Sequence, residues 1–122
     1  MDLHLTGKTA VVTGASRGIG LAVTRALVAA GARVVAGARE ITPELKALAA
    51  DGEVLAVEAD LTASDGPAEL IAATVLAYGG LDILVNNVGA VRPRVDGFLA
   101  VTDDDWSATF TVNLMAAVRT TR

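Results

Sequence analysis

Short apolar runs alternate along this chain with longer stretches in which apolar residues return every third or fourth place. Thr9-Ala10-Val11-Val12, Arg33-Val34-Val35-Ala36-Gly37-Ala38, Val54-Leu55-Ala56-Val57 and Leu81-Asp82-Ile83-Leu84-Val85 are the short runs, and each predicts a buried strand. The longer stretches predict helices. The first opens near Ile19, carries Ile19, Val23, Ala26, Leu27 and Ala30 on one face and stops at Gly31. The second is capped by Thr42, has Pro43 in its first turn and ends at Asp51-Gly52. The third enters through Ser64 to Pro67, aligns Ile71, Thr74, Val75 and Tyr78, and stops at Gly79-Gly80. A loop with Arg92, Pro93, Arg94, Asp96 and Gly97 then leads to a long terminal helix, from about Asp103 to Thr120. Its stripe of Trp106, Phe110, Asn113 and Ala117 predicts a buried Asn113, whose amide must then find backbone or water partners.

Strands alternating with helices argue for parallel pairing through crossovers, because parallel neighbours cannot be joined by hairpins. The expected fold class is α/β, a three-layer, doubly wound parallel sheet in the order 3-2-1-4. In that order a crevice opens between the carboxyl ends of strands one and four, where ligands bind.

Thr13-Gly14-Ala15-Ser16-Arg17-Gly18-Ile19-Gly20 occupies the turn from strand one into helix one. Glycines there allow unusual dihedrals, bare backbone for an approaching phosphate, and close packing of helix on strand. The free N–H groups and positive dipole end of the helix stabilise an anion over the loop. The spacing is G-x-x-x-G-x-G, not G-x-G-x-x-G, and a glycine-rich turn without ligand is the competing reading. A Walker loop is excluded, because Gly18 is followed by Ile19 where Lys-Ser or Lys-Thr is required.

Composition narrows the remaining classes. At 122 residues and 52% hydrophobic, the chain predicts one domain over residues 1–122 with ample core. A net charge of −4 with eight scattered arginines argues against nucleic acid. There is no cysteine, and the one histidine, His4, lies in a polar leader, so no metal site is expected. Asp103, Asp104 and Asp105 invite a metal reading, but helix neighbours diverge, while acids in a first turn complement the dipole. No membrane span or signal peptide is legible, and a cytoplasmic location is expected.

The ordered set of a glycine turn at Thr13–Gly20, an acid at Asp60, Asn86-Asn87-Val88-Gly89, and Asn113 on a long helix resembles the short-chain dehydrogenase/reductase family over nearly the whole chain. The resemblance implies a Rossmann-like, NAD(P)-binding fold. It implies that Gly14, Ser16, Arg17, Gly18, Ile19 and Gly20 hold the pyrophosphate side, and that Asp60 and the backbone of Leu61 hold the adenine edge. Asn87 and Gly89 would line the ribose and nicotinamide half, Asn86 would tie neighbouring strands together, and Asn113 would hold a water in the catalytic proton relay. Turn and capping roles are the competing readings for Asp60 and for the asparagines. Arg39 at the end of strand two, with Arg17, favours a 2′-phosphate and hence NADP over NAD. Glu40 opposes this, since its carboxylate could serve ribose hydroxyls instead.

The family's tyrosine, its lysine four residues later and its serine cannot be assigned. Tyr78 is the only tyrosine, Asp82 stands four places on, and Tyr78 reads as core. The chain therefore looks like the cofactor-binding half of an oxidoreductase acting on an alcohol or carbonyl. A fragment is expected, sticky or marginally stable by itself, with the whole enzyme a homodimer or homotetramer. A non-catalytic NADP-binding module is one alternative. An S-adenosylmethionine transferase is another, disfavoured because that cofactor has no phosphate for two arginines.

Overall fold

The computed structural model describes residues 3–90 and 96–122; the expected loop residues Arg92, Pro93 and Arg94 lie outside them. Four parallel strands form one sheet in the order β3-β2-β1-β4, with β1 Thr9–Thr13, β2 Arg33–Ala38, β3 Val54–Glu58 and β4 Ile83–Val85. The helices are α1 Gly18–Ala29, α2 Pro43–Ala49, α3 Gly66–Tyr78, α4 Asp103–Phe110 and α5 Ala116–Thr121, with a 3₁₀ turn at Phe98–Ala100. This is the doubly wound order expected from the alternation.

Strand side chains point alternately to the two sheet faces, and each face builds its own core. Ala10, Val12, Val34 and Ala36 pack with Leu21, Leu27 and Val28 of α1 and Leu45 of α2. Val11 and Val35 pack on the opposite face with Leu61, Leu70 of α3 and Ala116 of α5. β1 is central, paired with β2 from Val11 to Val35 and with β4 from Val11 to Leu84, and all its residues are buried. Buried threonines in the helices satisfy themselves: Thr24, Thr74 and Thr120 each donate to the carbonyl four residues back, at 2.8, 2.9 and 2.7 Å.

Several expectations need correction. In α1 the buried residues are Gly20, Leu21 and Thr24, while Ile19 is 74% exposed and Ala26 is exposed. In α3 they are Gly66, Pro67, Leu70 and Thr74, and Val75 is exposed. Both helices are apolar nearly all round, so periodicity alone does not select the packed stripe. Tyr78 is only half-buried, its ring lying under the Arg33 guanidinium at 4.8 Å. The terminal helix is not one regular helix: Thr111–Met115 forms a π-helical segment between α4 and α5. Strand four begins at Ile83, since Asp82 instead clasps Thr9, accepting from its N–H through Oδ2 at 2.9 Å and donating its own N–H to the Thr9 carbonyl at 2.9 Å.

Candidate nucleotide-binding crevice

At the carboxyl ends of the strands a crevice of about 530 Å³ opens, within the range usual for small-molecule sites. Its floor is the turn after β1. Gly14 and Gly18 have φ of +62° and +58°, a region that favours glycine. A Cβ at Gly20 would overlap the Gly14 carbonyl oxygen and lie 2.6 Å from Asn87 Nδ2, whereas one at Gly18 would meet nothing within 4 Å. The glycines therefore divide the labour: Gly14 and Gly20 let the turn close on itself and on Asn87, and Gly18 presents open backbone.

Asn87 buttresses this turn. Its N–H donates to Thr13 Oγ1 at 2.9 Å and its Nδ2 donates to the Gly14 carbonyl at 3.3 Å, while the Thr13 hydroxyl donates to the Val85 carbonyl at 3.3 Å. The ends of β1 and β4 are thus linked at the point where the strand order reverses. No side chain caps α1 and no acid stands in its first turn, so its leading N–H groups are left for a ligand. The contrast with α4 is direct. There Thr102 and Asp105 form a capping box and Asp103, Asp104 and Asp105 fill the first turn. Among the described residues no group of acids and histidines is arranged to hold a metal.

A second rim comes from the loops after β2 and β3. Ser16, buried in the glycine turn, donates its hydroxyl to the Glu40 carbonyl, and the buried Thr42 hydroxyl donates to the Ser16 carbonyl at 2.7 Å. Arg17 Nη2 reaches Glu40 Oε2 at 3.6 Å. Opposite, the Asp60 carboxylate accepts from the Thr62 hydroxyl at 2.6 Å and from the Thr62 N–H at 3.0 Å. These two bonds, with help from the charge of Arg39, hold its carboxyl below the usual carboxylate range.

Gly14, Ser16, Arg17, Arg39, Asp60, Leu61, Asn87 and Gly89 all line the crevice. Gly18 instead lines a smaller hollow on the far side of Arg17, and Ile19, Gly20 and Asn113 line neither. Asn113 is exposed, contrary to the stripe reading, because that side of the helix meets the backbone of Ala90 and not a core. Its Oδ1 accepts from the Ala90 N–H at 3.0 Å, and its Nδ2 donates to the carbonyls of Ala90 at 2.9 Å and Thr109 at 3.1 Å. Asn86 does not join strands; its Nδ2 donates to Thr121 Oγ1 of α5 at 3.0 Å.

The sequence reading missed Gly37, Thr62 and Val112, which also line the crevice. A glycine inside a strand was a signal for close approach: a Cβ at Gly37 would meet Leu70 Cδ2 at 2.7 Å. Asp60 and Thr62 stand two apart, the spacing of a side-chain turn. Gly66 was missed too, and there a Cβ would overlap the Asp60 carbonyl oxygen.

A parallel sheet wound on both faces, with a glycine turn, an uncapped helix end and a crevice at the reversal point, defines the Rossmann-like class of nucleotide-binding proteins. The family model for short chain dehydrogenases matches residues 8–122, and the chain belongs to that family, whose members are oxidoreductases. It is 38% identical over 125 residues to the oxidoreductase YvrD of Bacillus subtilis, covering 100% of this chain and 46% of that protein. It is 37% identical to the 3-oxoacyl-[acyl-carrier-protein] reductase of Synechocystis, covering 90% of this chain and 46% of the relative. Among solved structures, a short chain dehydrogenase from Burkholderia cenocepacia in complex with NADP superposes with a TM-score of 0.84 at 36% identity, over 96% of this chain and 49% of that one. The chain thus spans about half the length of the relatives it matches. No helix among the described residues is long and apolar enough to cross a membrane.

Proposed function

We propose that residues 1–122 form the nucleotide-binding unit of an NADP(H)-dependent oxidoreductase that moves a hydride between nicotinamide and an alcohol or carbonyl carbon. The observation that carries this reading is the pairing of an uncapped α1 N-terminus with Arg17 and Arg39 on the lip of one crevice. The close fit of Gly14 and Gly20 supports it, because only glycine at both places lets the turn that floors the crevice close on itself and on Asn87. When bound, the cofactor supplies the hydride. The first-turn amides of α1 would hold its pyrophosphate, Asp60 and Leu61 its adenine edge, the two guanidinium groups its 2′-phosphate, and Asn87 and Gly89 its nicotinamide side. Asn113, through its bonds to Ala90, sets the position of that residue beside Gly89.

Tyr78 does not act as the proton donor in this reading, since its ring is spent against Arg33 and Asp82 stands where the lysine would. We place the protein in the cytoplasm, where nicotinamide cofactors are held, and its assembly as a homodimer or homotetramer through the apolar side of α4. NADPH fluorescence enhancement on wild type and Arg39→Ala tests the cofactor assignment. A weakening of NADPH by about tenfold, with NADH unaffected, is expected for loss of one charge-assisted phosphate contact. Equal NADPH affinity in the two proteins would remove the 2′-phosphate assignment.

A further inference from the structure

The chain carries three Asp-Gly dipeptides, Asp51-Gly52, Asp65-Gly66 and Asp96-Gly97. In such a pair the glycine nitrogen can attack the side-chain carboxyl carbon of the aspartate, because the glycine has no Cβ to hinder the approach. The attack needs a nitrogen not held in another hydrogen bond and a backbone able to swing it toward the carboxyl. Two of the pairs are held. After α2 the Gly52 N–H donates to the Ala49 carbonyl at 3.1 Å and the Asp51 N–H to the Leu48 carbonyl at 3.3 Å. At the head of α3 the Gly66 N–H donates to the Ala63 carbonyl at 3.3 Å and the Asp65 carbonyl accepts from the Glu69 N–H at 3.0 Å, with Gly66 buried against the Asp60 carbonyl. The third pair is open. Asp96 and Gly97 are both exposed, Gly97 has φ of +88° with nothing within 4 Å of a Cβ built on it, and its N–H has no hydrogen-bond partner among the described residues.

We propose that Asp96-Gly97 is a site of spontaneous covalent modification, where the folded chain isomerises to isoaspartate while Asp51-Gly52 and Asp65-Gly66 are protected. The Gly97 nitrogen attacks Cγ of the Asp96 carboxyl in its protonated form. An N–Cγ bond forms, the Cγ–OH bond breaks, and water leaves with that hydroxyl and the amide proton. The product is a five-membered cyclic imide, which a second water opens. Cleavage of the N–Cγ bond restores aspartate. Cleavage of the bond between the nitrogen and the main-chain carbonyl carbon leaves the chain running through Cγ, with the old carbonyl now a free carboxylate. Nothing is oxidised or reduced, and water is the only co-reactant. Each hydrogen bond that must open before the attack slows it by up to about tenfold, which separates the two held pairs from the open one. The altered linkage lengthens the main chain by one carbon just ahead of the 3₁₀ turn at Phe98–Ala100. Phe98 is the ring in edge contact with Trp106, so the change is passed to the aromatic surface of α4.

The test is peptide mapping after incubation at neutral pH, with isoaspartate in the digest labelled by an isoaspartyl methyltransferase and radioactive S-adenosylmethionine. A sample held in guanidinium chloride, incubated until all three pairs are labelled, sets the rates of the unfolded chain. In the folded chain Asp96 should label at close to its unfolded rate, and Asp51 and Asp65 about tenfold more slowly than theirs. Asp96→Glu keeps the charge at an exposed position but would need a larger ring, so the label at that place should disappear while circular dichroism stays unchanged. Trp106 emission should shift in wild type as label accumulates and hold constant in Asp96→Glu. Labelling of Asp51 or Asp65 as fast as Asp96 in the folded chain overturns the proposal. So does a folded chain left unlabelled at Asp96 when the unfolded sample is labelled there. Constant Trp106 emission in a labelled wild type overturns the link to the aromatic surface. None of these readouts depends on what the crevice binds.

Discussion

Gly18 and Gly20 lie two residues apart and answer to different physics. Gly20 sits where any side chain overlaps the Gly14 carbonyl, so Gly20→Ala should cost about 3 kcal/mol of stability, measured by denaturant unfolding. Gly18 has open space beside it but a positive φ, so Gly18→Ala should cost only about 1 kcal/mol, measured the same way. Equal losses of stability would contradict this division. Asp60 supplies a second residue-level test, because the Thr62 hydroxyl is the main cause of its lowered pKa. In Thr62→Val the carboxyl should titrate closer to the ordinary carboxylate value, followed by NMR. The sign follows from linkage: a lowered folded pKa stabilises the fold above the ordinary carboxylate pKa, and that stabilisation fades as pH falls through the lowered value. With the side chain exposed, the effect on stability is small.

At the scale of elements, strands were legible and helix faces were not. The strand runs are short, rich in valine and bounded by polar or glycine residues, and burial of β1 and β2 from both sides leaves no ambiguity of face. The faces of α1 and α3 were hidden because alanine, valine and leucine cover most of their circumference. Ile19 and Val75 consequently point outward, where a pattern count placed them inward. The turn glycines and Arg39 were readable from local spacing, but the Ser16, Glu40 and Thr42 links join segments 24 and 26 residues apart and carry no local signature. Asn113 was singled out for burial and is instead exposed, its amide closing two bonds on Ala90 within a π-helical segment, an irregularity frequent at functional sites. Asn113→Ala should therefore accelerate amide exchange at Ala90, consistent with about 1 kcal/mol of lost local stability, while the exchange of β1 amides stays as it was. Unaltered exchange at Ala90 would show that the segment is held by something else.

On the scale of the whole molecule, an apolar surface is left over. Phe98, Trp106 and Phe110 form a chain of ring contacts, with centroids 6.5 and 6.2 Å apart, and all three are exposed. Exposed aromatic clusters of this kind mark interaction surfaces or aggregation hazards. Trp106, in the middle and 47% exposed, is the natural reporter. Its fluorescence should shift to the blue as protein concentration rises, and Trp106→Lys should lower the apparent mass in sedimentation. A concentration-independent monomer in wild type would remove α4 as a contact.

The stitch of Ser16, Glu40 and Thr42 also bears on how a guest is received. Because the floor and one wall of the hollow are fastened to each other before anything arrives, little chain remains to be frozen on docking. The entropic toll of association then falls mainly on the visitor, and selectivity rests with the few side chains still able to move at the rim.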